Sequence, residues 1–483
     1  MRMRVVWLGW QPQRKVSAGK VWATRNHRAS MSAVIQSSSA ASPLAIGHPL
    51  RIIAFDGGQP IALTQFLAQV RGLAAVLPSG RHAINLCEDR YRFLVAFCAV
   101  AVRGQTTLLP PSRAPAVIAD ELRRHADSYC LGDGAMQDVP PRYWRLPEIL
   151  PLSDGPPLHV DDDALVAIGF TSGSTGQPQP NPKTWGSLGT STAQNLAALH
   201  DLWPASSIPH VVATVPPQHM YGMELSVLLP LLGGVAIHSA RPFFPEDIAA
   251  ALRAIDAPRL LVTTPVHLRA LVESSVLLPP MCGIVSATAP LPAAVALAAE
   301  TRFGCEVREL FGSTETCVIA RRRTARDDAW TPLPGVRLQA QPDGSLVHAA
   351  HLSAPVALAD LIEVADDGRF HLRGRQADLL EIAGKRASLG DLTRQLQAVP
   401  GVLDGVMFQL DATDAGGVRR IAALAVAPGI DEAAILRHLR RGIDPVFLPR
   451  PLKRVAALPR NDTGKLPRSA LLQLLQGDVQ SGA

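Results

Sequence analysis

A short run of hydroxyl residues and glycines follows an apolar stretch in the first half of the chain. The apolar stretch is Ala164–Phe170, and the run consists of Thr171, Ser172, Gly173, Ser174, Thr175 and Gly176. Glycines let a backbone turn tightly and approach a ligand closely, while hydroxyl and backbone N–H groups donate hydrogen bonds to anionic oxygens. The pattern predicts a phosphate-binding loop, although an ordinary Ser/Gly turn between a strand and a helix has the same composition. It is not a Walker loop, because no Gly-Lys-Ser/Thr is present.

Short apolar strands that alternate with Ala/Leu/Arg-rich helical stretches must position this loop. The strand candidates are Arg51–Phe55, His82–Leu86, Val211–Val215, Leu260–Thr264 and Gly283–Ser286, and the helix candidates after the first two are Leu63–Leu77 and Tyr91–Val102. Such alternation is typical of an α/β fold with a mostly parallel sheet.

A change of pattern near Asp378 predicts a second, smaller α+β unit. Its expected elements are a helix over Leu389–Ala398, strands over Val402–Leu410 and Arg420–Val426, a helix over Asp431–Arg441 and a proline-rich tail. We therefore expect a large domain over residues 44–376, a hinge near 377–378 and a small mobile lid over 379–483. Residues 1–43 are expected to form a loose leader, basic at first and then rich in Ser and Ala.

The charge distribution argues against a nucleic-acid-binding protein. The formal net charge is +6, but seven of the 47 basic residues lie in residues 1–30, which contain no Asp or Glu; the remainder carries 40 basic against 41 acidic residues. No apolar stretch reaches the ~20 residues that span a bilayer, so no stable membrane insertion is expected. The six cysteines show no Cys-x-x-Cys spacing and are expected to be buried free thiols, as in a cytoplasmic protein.

The loop resembles the signature loop of the adenylate-forming superfamily, which includes acyl- and aryl-CoA synthetases, peptide-synthetase adenylation domains and luciferases. Other segments resemble the superfamily's later motifs in the same order: Val215–Gly222 (VPPQHMYG), Ser286–Leu291 (SATAPL), Leu310–Glu315 (LFGSTE), Ala359-Asp360, Gly374-Arg375, Gly384–Arg386 (GKR) and Leu458–Lys465 (LPRNDTGK). The resemblance runs from about residue 49 to residue 470. It implies an enzyme that uses ATP and Mg²⁺ to convert a small carboxylic acid to an acyl-adenylate, with release of pyrophosphate.

The resemblance also implies roles in nucleotide binding. The loop would hold the β- and γ-phosphates, Glu315 would bind Mg²⁺, and Thr314 would contact the α-phosphate. The ring of Phe311 would stack on adenine in place of the usual Tyr, while Asp360 and Arg375 would reach the ribose. The other expected members of the ATP site are Ala287, Thr288, Gly312 and Ser313. The alternatives are a carboxylate at a helix start for Glu315 and surface charges for Asp360 and Arg375.

Two further residues are implied to act directly on the reaction. Only 6 of the 47 basic residues are lysines, and one of them, Lys465, stands in the closing motif, where a slim cation could reach between the carboxylate and the α-phosphate. His219 would flank the acid, with Tyr221, Gly222, Met223 and Ser286 as further pocket residues; a satisfied core histidine is the alternative. After rotation of the lid, Gly384 and Arg386 would line the tunnel for a thiol.

The chain departs from the superfamily pattern directly after the loop. Pro178-Gln179 stands where Pro-Lys is usual, and Lys183 follows four residues later. Either Lys183 substitutes for the missing cation, or the loop receives less electrostatic assistance. Together with Ala83–Arg92 and Gly104–Pro111, this unusual segment resembles aryl-acid ligases of bacterial aryl-polyene and xanthomonadin-type pigment pathways. That likeness implies a hydroxybenzoate-type acid and a phosphopantetheinyl acyl carrier protein or CoA as acceptor. An aryl- or fatty-acyl-CoA ligase and a non-catalytic nucleotide-binding relative are the alternatives.

Overall fold

Strands and helices alternate along most of the chain. The computed structural model describes residues 40–134, 136, 138–172, 178–256, 258–375, 379–382, 385–413, 419–460 and 464–477. The strands are β1 Ala41–Pro43, β2 Ile52–Asp56, β3 Gln59–Ala62, β4 His82–Asn85, β5 Thr106–Leu109, β6 Ser128–Gly132, β7 Tyr143–Arg145, β8 His159–Asp161, β9 Leu165–Ser172, β10 Pro178–Thr184, β11 His210–Ala213, β12 Ala236–His238, β13 Arg259–Thr263, β14 Gly283–Ser286, β15 Val307–Ser313, β16 Cys317–Arg322, β17 Thr331–Pro332, β18 Arg337–Gln341, β19 Gly344–His348, β20 Val356–Leu358, β21 Asp360–Val364, β22 Phe370–Arg375, β23 Leu379–Ile382, β24 Lys385–Ser388, β25 Asp404–Thr413, β26 Arg419–Val426 and β27 Leu452–Arg454. The α-helices are α1 Leu63–Val76, α2 Arg90–Val102, α3 Pro115–Arg124, α4 Trp185–Leu199, α5 Met220–Met223, α6 Leu229–Leu232, α7 Pro245–Arg253, α8 Pro265–Glu273, α9 Ala293–Phe303, α10 Leu389–Gln397, α11 Glu432–Leu439 and α12 Arg468–Gln476.

Two large, mostly parallel sheets dominate residues 40–375. The first has the order β10-β9-β5-β4-β6-β7, in which only the edge strand β10 is antiparallel. The second has the order β17-β16-β15-β14-β13-β11-β12-β2-β3, with a parallel centre from β15 to β2 and antiparallel strands at both edges. The predicted α/β class is confirmed.

The main core lies between these sheets and explains their apolar strands. It joins side chains of both sheets to α1, α2, α4 and the helical stretch from α5 to α6. Helix α3 covers the outer face of the first sheet, and α7, α8 and α9 cover the outer face of the second. Strands buried on both faces are mainly apolar, as in Gly283–Ser286, where every residue is buried and only Ser286 is polar.

The C-terminal residues build a smaller layered unit. The sheet β25-β26-β27 packs α10 and α11 on one face and α12 on the other. The smaller hairpins β21–β22 and β23–β24 precede it along the chain. The predicted proline-rich tail contains two elements that the sequence did not predict, strand β27 and helix α12. Both edges of the predicted hinge, 377 and 378, lie outside the described residues.

The structure corrects the predicted extent of the leader at its C-terminal end. Ala41–Pro43 form a strand paired with β8, and Leu44 is fully buried, so order begins before residue 44. Residues 1–39 lie outside the described part of the chain. None of the described helices is long and apolar enough to cross a membrane. All six cysteines are free thiols, of which Cys282 and Cys305 are half-buried and the others buried.

Candidate active site

The predicted phosphate loop connects two antiparallel strands. Strand β9 runs into it and β10 leads out, with Thr171 opposite Gln179. Thr171 and Ser172 form the last residues of β9, whereas Gly173, Ser174, Thr175 and Gly176 lie outside the described residues. The loop therefore begins at the carboxyl end of a parallel strand, where α/β sheets usually bind ligands.

Thr314 and Glu315 lie in a tight turn between β15 and β16. Ser313 pairs with Cys317 across this turn, and the Oγ atoms of Ser313 and Thr316 lie 3.1 Å apart. Glu315 is therefore in a turn between strands and not at the start of a helix. Cys317 has a φ of +58°, a left-handed conformation that non-glycine residues rarely adopt unless their surroundings enforce it.

The turn lies directly against the strand that carries the loop. A Cβ atom at Gly169 in β9 would come within 2.6 Å of Thr314 Cγ2 and 3.4 Å of Met220 Cε. From β10, Lys183 Nζ donates a hydrogen bond of 2.9 Å to the backbone carbonyl of Glu315. The structure thus brings together the stem of the loop, the predicted metal-binding turn and the segment that contains His219.

His219 directly precedes helix α5, whose first residues were predicted to line the acid pocket. The His219 side chain is half-buried. Gly222 is required by a close approach, since a Cβ atom there would lie 1.9 Å from the Pro216 carbonyl oxygen. The Tyr221 hydroxyl donates a 3.0 Å hydrogen bond to the Val285 carbonyl, and Met223 is fully buried.

The carboxyl end of β14 contributes the next predicted residues. The Ser286 side chain is fully buried, and its hydroxyl has no hydrogen-bond partner among the described residues. Ala287 is buried, and Thr288 has a φ of +82°. A β-branched residue in this conformation is a strained outlier of the kind that occurs at functional sites.

The segment of Lys465 comes close to this strand end. A Cβ atom at Gly464 would lie 3.3 Å from Val266 Cγ2 and 3.6 Å from Ala289 Cβ. Arg460 donates a 2.8 Å hydrogen bond to the Gly464 carbonyl and is itself paired with Asp404 of β25. The Lys465 side chain is exposed. The segment is therefore held by the small unit and faces the large one.

Asp360 and Arg375 are direct partners across the β21–β22 hairpin. The predicted ribose-binding residues are thus adjacent, although they are separated in the sequence. Phe311, the predicted adenine neighbour, is half-buried and packs on Trp330 and Phe370 with ring centroids 5.4 and 6.1 Å apart. Gly312 next to it could carry no side chain, since a Cβ atom would lie 2.2 Å from the Cys317 carbonyl oxygen.

The predicted thiol tunnel is described in part. Gly384 lies outside the described residues, and the backbone of Arg386 pairs with Glu381 in the β23–β24 hairpin.

Sequence reasoning did not anticipate several residues that support the site. Gly169 provides the contact surface for Thr314, Trp330 supports Phe311, and Glu224 and His351 bond to the backbone around the Ser313–Cys317 turn. Glu224 carried a signal, because it is a single carboxylate within an otherwise apolar helical stretch. The other three follow only from tertiary contacts.

The Ser313–Cys317 turn is suited to bind a metal ion together with the phosphates of a substrate. Among the described residues, no three carboxylate, imidazole or thiol side chains gather closely enough to hold a metal ion by themselves. Glu315 provides one half-buried carboxylate, and Ser313 and Thr314 precede it in the same turn. Oxygen ligands of this small number fit Mg²⁺, which usually keeps waters and binds through one or two carboxylates plus phosphates.

Known proteins resemble this chain in sequence and in fold. Residues 111–341 match the family described as AMP-binding enzyme. A 4-coumarate–CoA ligase from Rhodobacter capsulatus is 32% identical over 315 residues, which cover 64% of this chain and 76% of that protein. A protein of Mycobacterium tuberculosis named "Probable 2-succinylbenzoate–CoA ligase" is 26% identical over 410 residues, 77% of this chain and 98% of that protein. The crystal structure of ATP-bound MatB from Rhodopseudomonas palustris superimposes with a TM-score of 0.76 at 20% identity, covering 90% of this chain and 97% of that one.

Proposed function

Because this chain belongs to the AMP-binding family of adenylate-forming enzymes and is an AMP-forming ligase, we propose that it activates a hydroxybenzoate-type aromatic acid. The product of the first step is an acyl-adenylate, and the acyl group is then transferred to the phosphopantetheine thiol of an acyl carrier protein or of CoA. A cytoplasmic location is part of the same proposal.

The observation that carries the proposal is the contact between Gly169 and Thr314. It sets the loop stem against the Ser313–Cys317 turn, with Met220 at the same point. The strand that leads into the predicted phosphate loop, the turn that carries a carboxylate and the first residue of α5 therefore meet in one place. An ordinary Ser/Gly turn would not need to pack against a second hairpin turn that carries a half-buried carboxylate.

In the first half-reaction, a carboxylate oxygen attacks the α-phosphorus of ATP. The new bond joins that oxygen to phosphorus, the bond from phosphorus to the bridging oxygen breaks, and pyrophosphate leaves with the electron pair. This chain's residues would act by positioning and by charge. The loop would hold the β- and γ-phosphates, Thr314 would orient the α-phosphate, and Lys465 would offset the charge that develops between two anions.

Glu315 would hold Mg²⁺ at this point, and the bound ion would neutralise phosphate charge. Asp360 and Arg375 would bind the ribose from one hairpin, since a carboxylate accepts hydrogen bonds from both hydroxyls of a diol. Phe311 would offer its free ring surface to adenine, while Trp330 fixes the ring from behind.

In the second half-reaction, the thiol loses its proton and its sulfur attacks the acyl carbon. The carbon–oxygen bond to AMP breaks, and AMP leaves. The small unit would rotate before this step, so that Lys465 leaves and the Gly384–Arg386 segment takes its place beside the thiol. A glycine there allows a pantetheine arm to approach the backbone.

Two features support an aromatic acid. The two curated relatives described above are named for 4-coumarate and 2-succinylbenzoate, which both contain an aromatic ring. His219 is half-buried at the start of a helix whose next residues are apolar and buried, so a planar ring could lie against it while Ser286 offers an unsatisfied hydroxyl to a polar group.

ATP–pyrophosphate exchange with a panel of acids tests the proposal. The panel contains 3- and 4-hydroxybenzoate, 4-coumarate, 2-succinylbenzoate, acetate and a long-chain fatty acid. Exchange should be stimulated far more by the hydroxybenzoates than by acetate or the fatty acid. Equal or greater stimulation by the fatty acid would exclude the aromatic assignment, and no stimulation by any carboxylic acid would exclude adenylation. Mass spectrometry of acyl-CoA and of a loaded carrier protein then identifies the acceptor.

A further inference from the structure

Lys183 is buried beneath the turn that carries Glu315. It lies on β10 opposite Ala167, it is 5% exposed, and its Nζ donates to the Glu315 carbonyl. Burying an ammonium group is costly unless partners compensate for lost water. Lys183 therefore belongs to the interior, and it does not occupy the position after the loop where Pro178-Gln179 stands.

Glu224 is a second buried ionisable side chain that bonds to the backbone beside the turn. Its side chain is 2% exposed, and its Oε1 accepts hydrogen bonds from Ser191 Oγ at 2.8 Å and Asn195 Nδ2 at 2.9 Å. Both carboxylate oxygens lie within 3.2 Å of the backbone nitrogen of Val318, which donates to them. Burial raises the pKa of Glu224, and these hydrogen bonds and the charge of Lys183 oppose that rise.

Glu224 also lies at an irregular point of its own helix. Residues Glu224–Leu228 form a π-helical segment between α5 and α6. Such segments are rare and occur frequently at functional sites, because the extra residue re-aims neighbouring side chains. Here the irregularity begins at the carboxylate that reaches Val318.

His351 holds the middle of the turn. It is 6% exposed, and its Nε2 lies 2.7 Å from the Thr316 carbonyl oxygen. A carbonyl can only accept, so Nε2 carries the proton, and burial lowers the pKa of the ring toward the neutral form. Three buried side chains from three separate segments of the chain thus bond to Glu315 O, Thr316 O and Val318 N.

We propose that Lys183, Glu224 and His351 are positioning residues that fix the backbone of the Ser313–Cys317 turn and so set the Glu315 carboxylate and the Thr314 hydroxyl for Mg·ATP. The proposal rests on the function proposed above. It gives Lys183 a role different from phosphate binding: the buried ammonium group stabilises the turn through the Glu315 carbonyl. The left-handed Cys317 persists because the backbone on both sides is fixed.

The charge pair is tested with Lys183→Met, Glu224→Gln and the double variant. Lys183→Met removes the cation and leaves the Glu224 carboxylate buried, so the melting temperature of this variant should fall. The double variant removes both charges and should recover most of that loss. It still lacks a donor to the Glu315 carbonyl, so calorimetry with Mg²⁺ and α,β-methylene-ATP should show about 10–100-fold weaker binding, the usual effect of removing a support of a metal ligand. The KM for the acid should stay unchanged.

His351→Gln and His351→Leu separate positioning from packing. A glutamine amide can still donate to the Thr316 carbonyl, whereas leucine cannot, so nucleotide affinity should be closer to wild type in His351→Gln. Lys453→Met is the matched control, because Lys453 also donates to a backbone carbonyl, that of Leu474 at 2.9 Å, but in the small unit. That variant should bind nucleotide as the wild type does.

Hydrogen–deuterium exchange without nucleotide gives a readout that does not depend on activity. Exchange over residues 313–318 should be faster in the double variant and in His351→Leu, and unchanged in Lys453→Met. A folded double variant with wild-type nucleotide affinity and wild-type exchange over 313–318 would overturn the inference. The inference would also be overturned if hydrogen–deuterium exchange in the double variant rose equally throughout the sheet that contains β15 and β16. If the wild type binds no Mg-nucleotide, the proposed function fails, and exchange over 313–318 still reports on the support.

Discussion

The methyl group of Thr314 lies against the bare backbone of Gly169. A Cβ atom at residue 169 would come within 2.6 Å of Thr314 Cγ2, closer than real carbon contacts allow. Gly169 lies in the first large sheet and Thr314 in a turn between two strands of the second, so this contact sets the distance between the loop stem on β9 and the turn between β15 and β16. Glycine is therefore needed at residue 169 for a close approach and not for a special backbone angle.

Gly169→Ala should displace the turn and lower activity more than stability. An added methyl in a packed site costs about 1–3 kcal/mol of unfolding free energy. A misplacement of reacting groups by about 1 Å can cost ~10²-fold in rate. The rate of ATP–pyrophosphate exchange should therefore fall by about 10–100-fold. Thr314→Ser in the same chain removes Cγ2 and keeps the hydroxyl, and it should restore much of the loss.

The control for that variant is Gly189→Ala in α4, where an added Cβ meets nothing within 4 Å. Gly189→Ala should leave the rate of ATP–pyrophosphate exchange unchanged. Full activity of Gly169→Ala, or no recovery in the double variant, would show that the contact does not position Thr314.

Glu315→Gln should make the reaction dependent on high magnesium. The change keeps the side-chain volume and the backbone carbonyl that Lys183 binds, and it removes only the charge. A neutral amide is a weaker ligand for a hard cation, so exchange at ordinary Mg²⁺ should fall by a large factor and recover in part as Mg²⁺ is raised. Titration of Mg²⁺ at saturating ATP measures this, and an unchanged titration curve would mean that Glu315 does not bind the ion.

Much of the fold was predictable because buried parallel strands have an unmistakable composition. Gly283–Ser286 was predicted to the residue, and α1 and α10 to within one residue at their ends. The strand at Ala41–Pro43 was missed because Ser, Pro and Ala carry no strand signal, and its pairing with β8 is a long-range contact. The helix α12 was missed because the prolines before it resemble a tail.

The sequence offers candidate site residues where the chemistry requires one residue type, and it offers none where tertiary contacts decide. Asp360 and Arg375 were assigned to the same ligand from a resemblance, and their pairing across one hairpin agrees with a shared task. The sequence offered Lys183 as a substitute for a phosphate-binding cation. Whether its ammonium group lies in the interior or beside the phosphate loop depends on tertiary contacts that the sequence does not reveal. Glu224, which bonds to the backbone beside the same turn, is 41 residues away along the chain, and no local pattern joins the two residues.

The stability of the protein should depend on Asp89 in a pH-sensitive way. Asp89 caps α2 by accepting a 2.8 Å hydrogen bond from Arg92 N, and burial is the largest cause that raises its pKa to about 6. In an unfolded chain the pKa is about 3.9. Between these values the native state binds more protons than the unfolded state, so the contribution of this carboxyl to stability increases as pH falls from 7 toward 4.

Asp89→Asn keeps a capping oxygen and abolishes the titration. The variant should therefore gain unfolding free energy relative to wild type at pH 7.5 and lose that advantage at pH 4.5. Urea denaturation at both pH values measures the difference, and all other titrating groups are common to the two proteins. A difference that is the same at both pH values would assign the effect to the cap and not to the charge.

Lys465→Ala and Gly384→Leu should damage opposite halves of the reaction. The first half-reaction brings a carboxylate to a triphosphate, so a cation near the developing pentavalent phosphorus lowers its barrier. Gly464 lies beside Ala289, close to the end of β14, which places the neighbouring Lys465 at the interface of the two units. Loss of one electrostatic stabiliser typically costs about 10²–10³-fold, so acyl-adenylate formation should fall by that factor in Lys465→Ala.

Transfer from a supplied acyl-adenylate to the thiol should change little in Lys465→Ala, because the small unit is expected to have rotated before that step. Gly384→Leu should do the reverse: a bulky side chain in the thiol tunnel blocks transfer, while adenylation needs only the earlier arrangement. Arg460→Ala is a useful third variant, since Arg460 binds the Gly464 carbonyl and Asp404 and should act on adenylation through Lys465. Single-turnover kinetics of each half-reaction provide the measurement. If Lys465→Ala and Gly384→Leu lowered both halves equally, alternation of the small unit between two positions would not explain how this chain works.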